Sequence, residues 1–133
     1  NYNLLFMGDY LHKEESYKIV GILYEVHKNL GKGFSEIVYK DALEYEFTQH
    51  NIPFVREKEF SVNYKNTTLK HKFYADFVVF DKIILEIKTV DCFNNSHYNQ
   101  CLNYLKIAKF ELAILANFNL ISLEYKRIVQ SKY

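Results

Sequence analysis

Two apolar runs within residues 74–90 are separated only by Asp81 and Lys82, and this is the feature that most restricts what the chain can fold into. A connection that short joins antiparallel strands, because parallel ones need a crossover of a dozen residues or more. The expected strands are 69–80 and 83–90, meeting in "YADFVVFDKIILEIKTV", residues 74–90. Side chains two apart share a face, so Ile83, Leu85 and Ile87 point one way and Ile84, Glu86 and Lys88 the other. In the preceding strand Phe73, Ala75, Phe77 and Val79 are expected to form one apolar face, with Tyr74, Asp76 and Val78 opposite. If both apolar faces enter one core, paired residue numbers must sum to an even number. A three-residue turn centred on Asp81 meets that condition and sets Asp76 across from Glu86, and Tyr74 across from Lys88.

Directly opposed carboxylates repel, since cross-strand Cβ atoms lie about 4.5 to 5.5 Å apart. Positive charge is therefore expected between them. Lys88 could supply it in an exposed ion-pair patch contributing roughly 0 to 1 kcal/mol. A divalent cation is the other reading: Mg²⁺ takes a few carboxylate oxygens and keeps waters and phosphates as further ligands.

The remaining elements follow from periodicity. Ile19, Ile22, Leu23, Val26 and Leu30 make a helical stripe over 14–30, ended by Gly31 and Gly33. A second helix is expected over 35–50, with Ser35 as cap and Pro53 closing the region. "VREKEFSVNYK" alternates as a strand through Phe60, Val62 and Tyr64, and Asn66, Thr67 and Thr68 read as a turn. "CFNNSHYNQCLNYLKIAKF" returns to helical spacing, with Tyr98, Cys101, Leu102, Leu105 and Ala108 on one stripe and Asn95 or Ser96 as cap. "ELAILANF" and "SLEYKRIV" supply two last strands. The order α-α-β-β-β-α-β-β describes an α/β (α+β) fold, a mixed sheet carrying helices.

At 133 residues and 49% hydrophobic content the chain is sized for a single domain, 1–133. Seventeen basic and sixteen acidic side chains give a formal charge of +1, so attraction to nucleic acid must come from local clustering. Cys92 and Cys101 lack metal-ligand spacing and read as reduced thiols. No stretch approaches the roughly 20 apolar residues of a membrane span. "NYNLLFMGDYLHKEE" lacks the features of a secretory leader, and a cytoplasmic protein with no membrane partner is expected. The start at Asn1 is consistent with a trimmed N-terminus.

Glu36 shares a helix stripe with Tyr39, Leu43 and Phe47, which turns it toward the sheet or its edge; a helix-start carboxylate favouring the dipole is the plainer reading. Gln100 and Tyr104 are one turn apart on the flank of the third helix, where a polar border is the plainer reading. The five histidines are scattered and none is assigned to chemistry; His97 lies three before Gln100 on the same helix face.

These residues in this order resemble a known family. "GFSEIVY", residues 33–39, matches the pattern that names the GxxExxY family, and Asp76, Glu86-Ile87-Lys88 and "QCLNY" resemble the D, ExK and QxxxY elements of the PD-(D/E)XK nuclease superfamily. The resemblance spans 16–129, with Ala75 where the motif's name has Pro. It implies a restriction-endonuclease-like core: a helix, an antiparallel three-stranded meander, a crossover helix over 94–109 and a strand added in parallel. It implies that Asp76, Glu86, the main-chain carbonyl of Ile87 and Glu36 bind Mg²⁺ or Mn²⁺. Lys88 would then stabilise developing charge and orient water, while Gln100 and Tyr104 position substrate or water.

The expected function is metal-dependent hydrolysis of nucleic acid, with DNA as substrate. A non-catalytic nucleic-acid or protein adaptor on the same fold is the alternative. A hydrolase of small phosphorylated metabolites is disfavoured, because no glycine-rich phosphate loop is present. Lys65, Lys70 and Lys72, interleaved with tyrosines, suit phosphate contact and base stacking, although lysines also protect exposed strand edges. Lys126, Arg127 and Lys132 add charge near the C-terminus, and a homodimer would let so short a domain address two strands.

Overall fold

The computed structural model describes residues 11–131. Lys132 and residues 1–10, considered above for charge and for a leader, lie outside them. Helices α1 (Lys13–Leu30) and α2 (Glu36–Gln49) come first, followed by strand β1 (Phe54–Phe60). A short hairpin of β2 (Asn63–Tyr64) and β3 (Thr67–Thr68) precedes β4 (Phe73–Val79) and β5 (Ile83–Lys88). Helix α3 (Asn95–Ala108) leads to β6 (Leu112–Asn117) and β7 (Glu124–Val129). The five-stranded sheet has the order β1-β4-β5-β6-β7. β1, β4 and β5 form the expected antiparallel meander, β6 joins β5 in parallel after the α3 crossover, and β7 closes the edge antiparallel to β6.

Both faces of the sheet are covered. Ile19, Ile22, Leu23 and Val26 of α1 and Tyr39, Leu43 and Phe47 of α2 pack on Phe77, Val79, Ile83, Leu85, Ile87 and Ile114. On the other face Cys101, Tyr104 and Leu105 of α3 pack on Ala75, Val78, Ile84, Ala113 and Leu115. Residues 83–85 of β5 and 112–116 of β6 are therefore apolar on both faces, as strands covered on two sides must be. Among the described residues no helix is long and apolar enough to cross a membrane.

Four expectations need correction. The alternating strand drawn through Val62 and Tyr64 stops at Phe60, and the strand expected over 69–80 begins at Phe73. The intervening residues form a separate two-stranded ribbon, and its exposed side chains supply no buried face to extend the main sheet. The cap of α3 is Asn94, whose side chain accepts from the His97 N–H while His97 Nδ1 accepts from the Asn94 N–H; His97 is thus part of a capping box. On α3 it is Tyr104 that is buried, whereas Leu102 is 38% exposed.

The fourth correction concerns β4. Phe77 and Val79 enter the core beneath α1 and α2, but Ala75 and Phe73 pack on the α3 side. The alternation shifts by one at Asp76. The neighbouring strand carries the cause: Arg56 pairs with Phe77 and Lys58 with Ala75, leaving Glu57 and Asp76 between those pairs, and Glu57 has a left-handed φ of 53°. A non-glycine residue there is uncommon and turns the local backbone.

Candidate active site

The β4–β5 register is the expected one: Val79 pairs with Ile83, Val78 with Ile84 and Phe77 with Leu85. The three-residue turn holds Phe80 and Asp81 at φ values of 56° and 59°. Beyond Phe77 and Leu85 side chains take over from the backbone ladder. The Asp76 N–H donates to Glu86 Oε2 at 2.9 Å, and the Ile87 N–H donates to Asp76 Oδ2 at 2.8 Å. Tyr74 does not continue toward Lys88; it pairs with Glu59 on β1, and its hydroxyl donates to the Glu59 carboxylate at 3.0 Å.

Glu86 is 2% exposed. Burial, and after it the charge of Asp76, pushes its carboxyl up to about 9, against the smaller opposing pulls of the Asp76 N–H and Lys88. A buried acid beside a second acid lacks positive charge. Lys88, expected to supply it directly, makes no ion pair among the described residues; its charge acts on Glu86 from a distance. The direct contact comes from a lysine that the sequence reading passed over. Lys40 Nζ of α2 lies 2.6 Å from Asp76 Oδ1, 3.1 Å from Glu57 Oε1 and 3.6 Å from Glu36 Oε1. Burial lowers the Lys40 pKa, but the hydrogen bonds and charges of Asp76 and Glu57 outweigh it, and the net shift is upward. Glu36 thus reaches the acid pair through Lys40.

Gln100 and Tyr104 come to the same place from α3. Tyr104 is 8% exposed; burial, then Glu86 and Asp76, raises its hydroxyl to about 12, while a hydrogen bond from Gln100 acts the other way. Cys101 lies between them, and burial followed by Glu86 raises its thiol to about 12. The chain leaving β5 is tied down by Asn117, which is fully buried: its Nδ2 donates to the Val90 carbonyl at 2.8 Å, and its Oδ1 accepts from the Val90 and Asn119 N–H groups at 3.1 Å each. Tyr39, the last residue of the GxxExxY pattern, donates to the Gly31 carbonyl at 2.6 Å and stacks on Phe118.

Lys65, Lys70 and Lys72 are exposed on and beside the β2–β3 ribbon, and Lys65 lies over the Tyr64 ring. β4 begins at Phe73, directly after Lys72, and reaches Asp76 three residues further on.

Among the described residues no group of three or more His, Cys, Asp or Glu side chains is placed to hold a metal ion. Two carboxylates with an adjacent main-chain carbonyl fit a hard divalent cation that keeps much of its water. The buried Glu86 carboxyl, held by the Asp76 N–H beside the Asp76 carboxylate, is the observation behind that fit.

Comparison with known proteins gives the family. The sequence matches the PD-(D/E)XK nuclease superfamily over residues 13–128, most of the chain. The chain belongs to the PD-(D/E)XK nuclease superfamily. No curated protein matches it. Among solved structures, the crystal structure of SSO0001 is similar at a TM-score of 0.55 and 23% identity. That match covers 70% of this chain and 48% of the other, so this chain spans about half of SSO0001, and the likeness is one of fold. In this chain Asp76 and Glu86 meet where the β4–β5 ladder ends, and Lys88 closes β5 two residues after Glu86.

Proposed function

We propose that this PD-(D/E)XK domain is a metal-dependent nuclease that hydrolyses phosphodiester bonds of DNA, with Asp76, Glu86 and the Ile87 carbonyl holding Mg²⁺ or Mn²⁺. The observation that carries the reading is the interlocked acid pair, two carboxylates held by each other's strand where the ladder opens. An ion-pair surface has no need of a buried carboxyl pushed up to about 9. A bound divalent cation would supply charge neutralisation at the scissile phosphate and a more acidic water.

The chain's own groups have separate tasks. Backbone N–H donors hold the Asp76 and Glu86 carboxyl groups in place, and Glu86 would give up its proton on taking the cation. Lys88, at the end of β5 and without a competing carboxylate partner among the described residues, meets the charge that develops on the phosphate. Gln100 and Tyr104 bind the substrate backbone or orient water beside Glu86. Lys65, Lys70 and Lys72 contact the phosphate backbone.

The test is Mn²⁺ titration calorimetry on the wild type and on Glu86→Ala, then cleavage of linear single-stranded and duplex DNA with the same samples. Binding and cutting that both vanish in the variant support the nuclease. A folded wild type that binds no metal and cuts neither substrate rejects it in favour of the adaptor.

A further inference from the structure

Lys40 has no part in the chemistry just described, yet it is 9% exposed and is placed with care. Three carboxylates from three elements meet its ammonium: Glu36 one turn earlier on α2, Glu57 on β1 and Asp76 on β4. Glu57 arrives by adopting the left-handed backbone that also shifts the alternation of β4 at Asp76. The two oxygens of Asp76 are divided, Oδ1 toward Lys40 and Oδ2 toward the Ile87 N–H on the Glu86 side.

We infer that Lys40, a tethered positive charge in contact with Asp76, limits how tightly the acid pair holds a divalent cation, with Glu36 acting through Lys40. The inference rests on the nuclease reading above and deepens it. An ammonium in contact with one ligand carboxylate repels an ion bound at the other side of that carboxylate, and the low effective dielectric of a partly buried site sustains the effect. A metal that must leave with its product, or yield to the next substrate, gains from such a limit.

Mn²⁺ titration calorimetry separates this from a merely structural ion pair. Lys40→Met removes the charge and keeps the length, and it is expected to bind Mn²⁺ roughly tenfold tighter than wild type. Lys40→Arg, which keeps the charge, should restore wild-type affinity. Glu36→Gln should weaken binding in the wild type and have little further effect in Lys40→Met, because the two act as one unit. Unchanged or weaker binding in a folded Lys40→Met overturns the inference, as does a Glu36→Gln effect that is equal in both backgrounds. Should Lys40→Met fail to fold, Lys40→Gln carries the same expectation, and failure of both makes the lysine structural and overturns it. Binding in the wild type without tightening in Lys40→Met rejects only the role of Lys40. Binding in Lys40→Met alone rejects the nuclease reading and keeps that role, and binding in neither rejects both.

Discussion

The carboxylate of Glu86 accepts the backbone N–H of Asp76, so the strand that carries one acid is held by the side chain of the other. The acids stand where a ladder hydrogen bond would otherwise be, and their protonation is tied to the stability of the sheet.

That coupling predicts a pH dependence for the metal-free protein. Glu86 titrates near 9 when folded, and at an ordinary carboxylate value when unfolded. Between those values the folded state holds the extra proton, so stability falls as pH rises through the window. Below the unfolded value the favourable contribution is complete, and above about 9 it is lost. Thermal midpoints in chelator at pH 5, 7 and 9 should decline more steeply for wild type than for Glu86→Gln. Parallel curves for the two proteins count against the buried acid.

The two cysteines should react differently. Cys92 is exposed, whereas Cys101 is buried with its thiol raised to about 12, first by burial and then by Glu86. Reaction with a disulfide reagent at pH 8 is expected to titrate one thiol promptly and the second only after denaturant is added. Prompt reaction of both would contradict the packing of α3 on the sheet.

Tyr39→Phe should destabilise the fold by about 1 kcal/mol, because the hydroxyl that ties the Gly31 carbonyl is lost while the ring and its stacking on Phe118 remain. Urea unfolding measures this. A much larger loss would mean that the loop between α1 and α2 depends on that one hydroxyl, which also accepts from the Phe34 N–H.

Asn117→Ala should cost more, about 2 to 4 kcal/mol, since it removes three hydrogen bonds and leaves the Val90 N–H and carbonyl without that partner. The same variant should lower DNA cleavage beyond its effect on folding, because Asn117 fixes the chain that leaves Lys88. Kinetics under conditions where the variant is fully folded distinguish the two losses.

Neutralising Lys65, Lys70 and Lys72 together should weaken DNA binding and reduce the dependence of log K on log salt by up to about 3 units. Mn²⁺ affinity should stay unchanged, since the ribbon lies in a sheet of its own. An unchanged salt slope would leave these lysines as guards of an exposed edge.

The hairpin register was legible because a period of two and a short turn leave few choices, and Val79 with Ile83 confirms the choice made. The helix stripes were legible for the same reason, down to Leu23 and Leu43 at the centre of one core. Position 57 was not, because nothing in "VREKEF" marks Glu57 as left-handed, and the face change at Asp76 follows from it. Lys40 left a partial trace, four residues after Glu36 on one helix face, but its meeting with Asp76 depends on how α2 settles across the sheet. The β2–β3 ribbon was hidden because Phe60, Val62 and Tyr64 keep alternating through the point where the main sheet ends.

Because β4 changes faces at Asp76, its halves answer to different helices: Phe73 and Ala75 to α3, Phe77 and Val79 to α1 and α2. Inserting or deleting one residue before Asp76 would turn the first half inside out while sparing the second, and the reverse holds after it. The strand therefore has two independent phases joined at one carboxylate, and chain length is least editable at the residue whose side chain ties α2 to β5.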